Sequence, residues 1–258
     1  MINKYGRDAH VRPVLCVFLP DKEFAGVMRW GAVIVAAGRG RRMGAGENKV
    51  FLPLAGRAVL ANTLDAFERC GLVEEIVVVG AADEIERIET IVRNGRFGKI
   101  ARVVPGGTER QDSVAAGLAA LETEGALVHD AARPFVTPAL IEACCASAER
   151  AGAAAAAVPV KDTIKVAEDG MIVSTPDRAS LLAVQTPQAF GRLALLDAHR
   201  KAREAGIAAT DDAMLFERLG LPVAAVPGLE SNLKITTPED LLVAELIMKR
   251  NRGETGEA

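Results

Sequence analysis

From Trp30 onward, short unbroken apolar runs alternate with stretches whose apolar positions recur every three or four residues. Residues 31–37 form the first run, closed by Gly38, as in a strand buried on both faces. Leu60, Leu64 and Phe67 then fall at i, i+4 and i+7, the stripe of a helix that Gly71 ends. Residues 76–79 predict a second strand, and Ile85, Ile88 and Val92 a second helix. The pattern continues with a strand over 100–104, a helix through Val114, Leu118 and Leu121, and a strand over 126–129. Thr137 before Pro138 is an N-cap with proline at the first helical position, opening a helix through Cys144 toward Arg150. Residues 153–158 read as a strand by place alone, because their alanines prefer helix.

The alternation breaks at Pro159. Two β-like pieces, 163–166 and 171–174, flank the turn Glu168-Asp169-Gly170, so residues 159–186 read as a hairpin arm. Helical spacing resumes at Phe190, Leu193 and Leu196, and Thr210 is placed as the cap of a helix through Leu219. A strand over 223–226 and a last helix from Thr237-Pro238 to about Lys249 complete the order. Alternation with short connections predicts an α/β fold: a three-layer sandwich with a mostly parallel central sheet and a protruding β-arm. The expected organisation is an N-terminal extension over 1–28, one domain over 29–250 and a polar tail over 251–258. An arm projecting from such a domain is expected to pack on a second copy, giving a homodimer.

Composition narrows the function classes. The 258 residues carry 31 Lys+Arg against 34 Asp+Glu, a net charge of −3, which argues against a nucleic-acid-binding surface. No apolar run reaches 18 residues, so no membrane partner is expected. Residues 14–19 are apolar but bracketed by Pro13 and Pro20 and followed by Asp21, Lys22 and Glu23, unlike a secretory signal. Four Cys and three His without ligand spacing suit a reducing, cytoplasmic setting.

Ligands of open α/β sheets bind beyond the carboxyl ends of the strands, so the loops there carry the candidate chemistry. The first runs from Ala36, Ala37, Gly38 and Gly40 through Arg42 to Lys49. It fails the dinucleotide fingerprint at Met43 and lacks the Gly-Lys pair of a P-loop, yet glycines and cations together suit a triphosphate. Gly107 and Ser113 sit in the loop and helix start after the third strand. Asp130 ends the fourth strand, where a carboxylate either caps a turn or holds Mg²⁺, and Arg133 follows it. His129, beside Leu127 and Val128, reads as a packed strand residue. Thr163, Arg178, Thr186, Thr210, Asp211 and Lys234 lie at further loop ends, where capping or solvation would account for each alone.

Several separated motifs occur in order: A-A-G-x-G-x-R-M, G-G-x-x-R-x-x-S-V, H-D-A-A-R-P, T-P-Q, T-D-D and N-x-K-I-T-x-P-E-D. Over about residues 30–248 the chain resembles the 2-C-methyl-D-erythritol 4-phosphate cytidylyltransferases. The resemblance implies a Rossmann-like nucleotidyltransferase fold, a homodimer joined through the arm, and Mg²⁺-dependent transfer of CMP from CTP to a sugar-alcohol phosphate. It implies that Arg42 and Lys49 hold the triphosphate. Ala36, Ala37, Gly38, Gly40, Gly107 and Ser113 would line the nucleotide, and Asp130 would bind the metal. Arg133, Thr163, Arg178, Thr186, Thr210, Asp211 and Lys234 would surround the acceptor, and Arg42, Lys49, Asp130, Arg178 and Lys234 would be catalytic. Thr163, Arg178 and Arg133 are open to serving the partner subunit's site. Two positions depart from the pattern: Asn48 stands where a proline is usual, and Ser231 where some members carry Asp.

The reaction implied is attack of an acceptor phosphate oxygen on the CTP α-phosphorus, with pyrophosphate leaving. An ionised phosphate needs no general base, which suits a chain without a Ser/His/Asp or Cys/His signature. Ribitol 5-phosphate as acceptor, a sugar-1-phosphate nucleotidyltransferase and a non-catalytic nucleotide-binding module are the competing readings. The double alanine after Asp130 and the T-P-Q and N-x-K-I-T motifs favour the first reading.

Overall fold

The computed structural model describes residues 28–38 and 48–253, so the expectations for 1–27, for Gly40 and Arg42, and for the end of the tail lie outside the described residues. The elements in chain order are β1 (Trp30–Val35), β2 (Pro53–Leu54), β3 (Arg57–Ala58), α1 (Val59–Arg69), β4 (Val73–Gly80), α2 (Ile85–Gly95) and β5 (Ile100–Pro105). They continue with α3 (Arg110–Ala120), β6 (Gly125–Asp130), α4 (Pro138–Ala151), β7 (Ala153–Pro159), β8 (Val166–Glu168) and β9 (Met171–Ser174). The last are β10 (Leu182–Gly191), α5 (Arg192–Glu204), α6 (Ala213–Arg218), β11 (Ala224–Pro227) and α7 (Pro238–Asn251).

Seven strands form the central sheet in the order β11-β7-β10-β6-β1-β4-β5. Neighbours are parallel except around β10, which runs antiparallel to both β6 and β7. Successive side chains along a strand face opposite sides, and the core divides accordingly. Ala32, Ile34, Ile76, Val78 and Leu127 pack with Leu64 and Phe67 of α1 and with Ile141 and Cys144 of α4. Val33, Val77, Val79 and Val128 pack with Val114 and Leu118 of α3, Leu195 of α5 and Phe216 of α6. Burying each of the Val, Leu, Ile and Phe side chains among these contributes about 1.5–3 kcal/mol, and burial on both faces gives the unbroken apolar runs. The alanines of β7 are strand because their small side chains let α4 and α6 lie close over the sheet, overriding their helical preference.

Three expectations are corrected. Residues 182–186, counted with the arm, are the first half of β10, and the helix placed at Phe190 begins only at Arg192. Pro187 in a strand interior reads as a breaker, but the β10–β7 register shifts between Val184 and Gln188, accommodating it as a bulge. Thr210 does not cap α6: Met214 N donates to Asp211 Oδ1 at 3.0 Å, and Asp212 is the N-cap. The small β2–β3 hairpin, which packs under α7, carries too few residues to register as a period.

Two close approaches position the strand ends. A Cβ on Gly117 would stand 2.4 Å from Val33 Cγ1, so glycine in mid-helix lets α3 settle directly on β1. At the carboxyl ends of the strands, a Cβ on Gly106 would stand 2.5 Å from Ser113 Oγ and 2.9 Å from the Ala37 Cβ. The loops after β1 and β5 therefore meet over the start of α3. The arm is a β8–β9 hairpin, with Met171, Ile172 and Val173 exposed. Among the described residues no helix is long and apolar enough to cross a membrane.

Candidate active site

Asp130, the last residue of β6, gathers the site. Its side chain is 11% exposed, and Lys234 Nζ stands 2.7 Å from Oδ2. Arg133 Nε lies 3.7 Å from Oδ2 and Arg110 Nε 3.6 Å from Oδ1. Burial opposes the charge, but Lys234 first, then Arg110 and Arg133, hold the carboxyl well below the usual carboxylate range. Arg110 Nη1 also donates to Asp212 Oδ2 at 2.8 Å, and His199 Nε2 sits 3.0 Å from Asp212 Oδ1. Burial lowers the acidity of Asp212 in the same way, and Arg110 and His199 outweigh it, leaving it ionised. Arg110 thus spans two buried carboxylates.

The backbone around Asp130 is fixed by a buried relay. His129 Nε2 is 3.1 Å from the Arg133 carbonyl, which can only accept, so Nε2 carries the proton. Nδ1 then accepts from Thr186 Oγ1 at 3.0 Å, while Thr186 Oγ1 accepts from Asp130 N–H at 3.1 Å. Burial pushes His129 down to about 4, so it stays neutral in this tautomer. The packed-residue reading of His129 holds, with the addition that it ties β6 to β10 and to the turn after β6.

Lys234 reaches the carboxylate because the segment after β11 is stitched down. Ile235 N donates to Ala132 O at 2.9 Å, and Asn232 Nδ2 donates to Thr186 O at 2.9 Å and Gln185 Oε1 at 3.2 Å. Arg133 Nη1 donates to Asn232 O at 2.8 Å. Gln188 links the other side, donating to Asp211 Oδ2 at 2.9 Å.

Asp130, Arg133, Thr186 and Lys234 therefore form one cluster, to which Asp211 is joined through Gln188. Ala36, Ala37, Gly38, Gly107 and Ser113 lie at the adjacent ends of β1 and β5. Ser113 is buried; its hydroxyl donates to Glu109 O and accepts from Gly107 N, both at 3.2 Å. Lys49 opens a single 3-10 turn, Lys49–Phe51, capped by Asn48. Asn48 does not leave this turn loose: its amide is buried and bonded on both sides. Thr210 is exposed, its hydroxyl 3.7 Å from Met214 Sδ. Thr163 and Arg178 belong to the arm, and Arg178 Nη1 donates to the Lys161 carbonyl at 2.8 Å. Sequence reasoning placed Arg110 and Asp212 inside quoted motifs but gave neither a role. A signal existed for Arg110, because a cation at the first position of a helix opposes the helix dipole and asks for a reason.

A buried carboxylate ringed by three cations, beside glycine loops at the carboxyl ends of parallel strands, is suited to binding and neutralising phosphates. A sequence model of the 2-C-methyl-D-erythritol 4-phosphate cytidylyltransferases matches residues 31–250. The chain belongs to this family. A 2-C-methyl-D-erythritol 4-phosphate cytidylyltransferase of Desulforamulus reducens is 49% identical over 223 residues, covering 85% of this chain and 95% of the relative. Another, of Pelotomaculum thermopropionicum, is 48% identical over 231 residues, covering 88% and 97%. The crystal structure of 4-diphosphocytidyl-2C-methyl-D-erythritol synthase from Anaerococcus prevotii superposes with a TM-score of 0.77 at 34% identity, covering 86% of this chain and 96% of that one. That of the cytidylyltransferase from Thermus thermophilus gives 0.70 at 36% identity, covering 84% and 98%. The β-arm and the mostly parallel sheet thus belong to a cytidylyltransferase of this family.

Proposed function

We propose that the chain transfers CMP from CTP to 2-C-methyl-D-erythritol 4-phosphate, releasing pyrophosphate, as a step toward isoprenoid precursors in the cytoplasm. The observation that carries this reading to particular residues is the ring of Lys234, Arg110 and Arg133 around Asp130. The acceptor phosphate is already a nucleophile, so the chain's task is placement and charge neutralisation. Arg42 and Lys49 hold the triphosphate, and Ala36, Ala37, Gly38, Gly40, Gly107 and Ser113 line the base and ribose. Lys234 and Arg133 receive the acceptor phosphate, with Thr186 and Asp211 framing it. The 3.7 Å approach of Arg133 to Asp130 within one chain supports assigning Arg133 to its own subunit's site. Thr163, Arg178 and Thr210 complete the acceptor end, the first two reaching from the partner's arm in a homodimer.

The residues present fit Mg²⁺ as a one-carboxylate ion. Asp130 is held ionised, and among the described residues its Oδ1 carries only the 3.6 Å contact to Arg110. Among the described residues no group of three or more His, Cys, Asp or Glu could hold a metal, so substrate phosphates and water would supply the other ligands. When bound, the ion supplies positive charge to the phosphates. A pyrophosphate-release assay crossing CTP, UTP, ATP and GTP with methylerythritol 4-phosphate and ribitol 5-phosphate tests the reading. Turnover confined to CTP with the first acceptor is expected. Preference for ribitol 5-phosphate, or no release with any pair, would overturn it.

A further inference from the structure

We propose that Asn48 is a positioning residue for the nucleotide end of the site, fixing Lys49 and the Ala36 peptide relative to each other through its side-chain amide and Glu84. The inference rests on the assignment of Lys49 and Ala36 to CTP. Asn48 is 4% exposed, and all three of its side-chain bonds are made. Nδ2 donates to Ala36 O at 3.0 Å and to Glu84 Oε2 at 2.8 Å, and Oδ1 accepts from Val50 N at 3.3 Å. Ala36 N–H in turn donates to Val79 O at 2.7 Å, so Ala36 is gripped from both sides.

One amide therefore ties the end of β1, the turn after β4 and the start of the Lys49 turn. That turn is closed by Phe51 N–H donating to Asn48 O at 3.0 Å, and Arg87 stacks 4.1 Å over the Phe51 ring. The φ of Asn48 is −68°, the value a proline ring would impose. A proline could supply the backbone angle but none of the amide's bonds. Removing the amide leaves the Ala36 carbonyl unpaired in a buried place and frees Glu84 to move, and a buried group left unpaired costs more than the bond itself contributes.

The test varies CTP and acceptor separately in steady-state kinetics of the full chain with Asn48→Ala, Asn48→Pro, Glu84→Ala and Glu84→Gln. Asn48→Ala and Asn48→Pro should each lower kcat/KM for CTP about tenfold, while KM for the acceptor stays within about twofold. Glu84→Ala should lose less, and Glu84→Gln, which keeps an acceptor oxygen, should recover most of that loss. Parent-like kinetics in Asn48→Pro would assign the effect to the backbone angle and overturn the proposal. So would equal loss toward both substrates, or parent-like kinetics in both Asn48→Ala and Glu84→Ala. If Asn48→Ala does not fold, the half-exposed Glu84 pair decides. Lys49→Ala in the same assay separates the two levels. A parent-like Lys49→Ala removes the reading of Lys49 and the proposal with it, whereas an impaired Lys49→Ala beside parent-like Asn48 and Glu84 variants removes the proposal alone.

Discussion

Lys234 Nζ and Asp130 Oδ2 stand 2.7 Å apart, and this pair joins the last loop of the sheet to its central strand. The lysine is half-exposed and the carboxylate nearly buried, so the two respond differently to loss of the partner. Removing Asp130 leaves Arg133 with the Asn232 carbonyl and Arg110 with Asp212 in a partly buried place; removing Lys234 leaves the carboxylate with two weaker neighbours.

Asp130→Asn should therefore destabilise the fold by up to about 3–5 kcal/mol as well as depress activity. The folded-state acidity of Asp130 is shifted downward, so its stabilisation is present above the unfolded carboxylate value of about 4. It is lost as pH falls through the lower folded value. Denaturant unfolding of parent and variant from pH 7 to pH 2 should show the parent's advantage shrinking below about pH 4. An advantage that grows on acidification would contradict the ion-pair assignment.

His129 gives the opposite construction, a buried base held neutral at about 4. The unfolded chain binds the proton near pH 6.5, so stability is lost as pH falls from about 6.5 toward 4, by up to about 3 kcal/mol. His129→Gln retains an amide near the Arg133 carbonyl and removes the titration, so its stability should be flatter across that interval. Imidazole nitrogen shifts recorded by NMR between pH 5 and 8 should remain those of the neutral Nε2–H form. An apparent pKa near 6.5 for His129 would refute the relay through Thr186.

The two ends of the site should separate kinetically. Losing a cationic contact to a developing oxyanion typically costs about 3–4 kcal/mol, roughly 10²–10³ in rate, so Lys49→Ala should mainly depress kcat. Lys234→Ala should mainly raise KM for the acceptor, since it removes a contact shared by substrate and transition state. Because Lys234 pairs with Asp130, its removal should also lower the melting temperature by a few degrees. Parent-like constants in either variant would falsify that residue's assignment, and exchanged signatures would reverse the pocket.

How far the sequence carried these readings depended on whether one residue's surroundings were local. β1, β4 and β6 were legible because burial on both faces leaves an unbroken apolar run. The loops at their ends were legible because glycine and charge stand out against such runs. β10 was not, since Pro187 and the polar Gln185, Thr186 and Gln188 look like a loop. They are buried because Asn232, His129 and Asp211 satisfy them from distant parts of the chain. Arg110 was obscured for the same reason: its partners, Asp130 and Asp212, are 20 and 102 positions away. Asn48 reads as a departure from pattern until Ala36 and Glu84 are brought beside it.

The arm carries the remaining prediction. Met171 and Ile172 are 71% and 67% exposed on a two-stranded hairpin, and Ile164, Val166, Val173, Leu182 and Val184 add apolar surface near its base. A two-stranded hairpin is marginal on its own, and so much exposed apolar surface favours an occupied interface. If the occupant is a second copy, sedimentation at micromolar concentration should give about twice the mass of one chain. Met171→Lys with Ile172→Glu should shift it to the monomer, because two charges would be desolvated at the contact. Arg178, bonded only to the arm's own Lys161 carbonyl among its described hydrogen bonds, would then face the partner's Asp130 cluster. Mixing inactive Arg178→Ala with inactive Lys49→Ala chains should restore part of the activity, because one of the two sites in a mixed dimer would hold both residues intact. Rescue that disappears when the hairpin charges are introduced would tie sharing to the arm. A parent that sediments as a monomer while fully active would remove both the interface and the shared site.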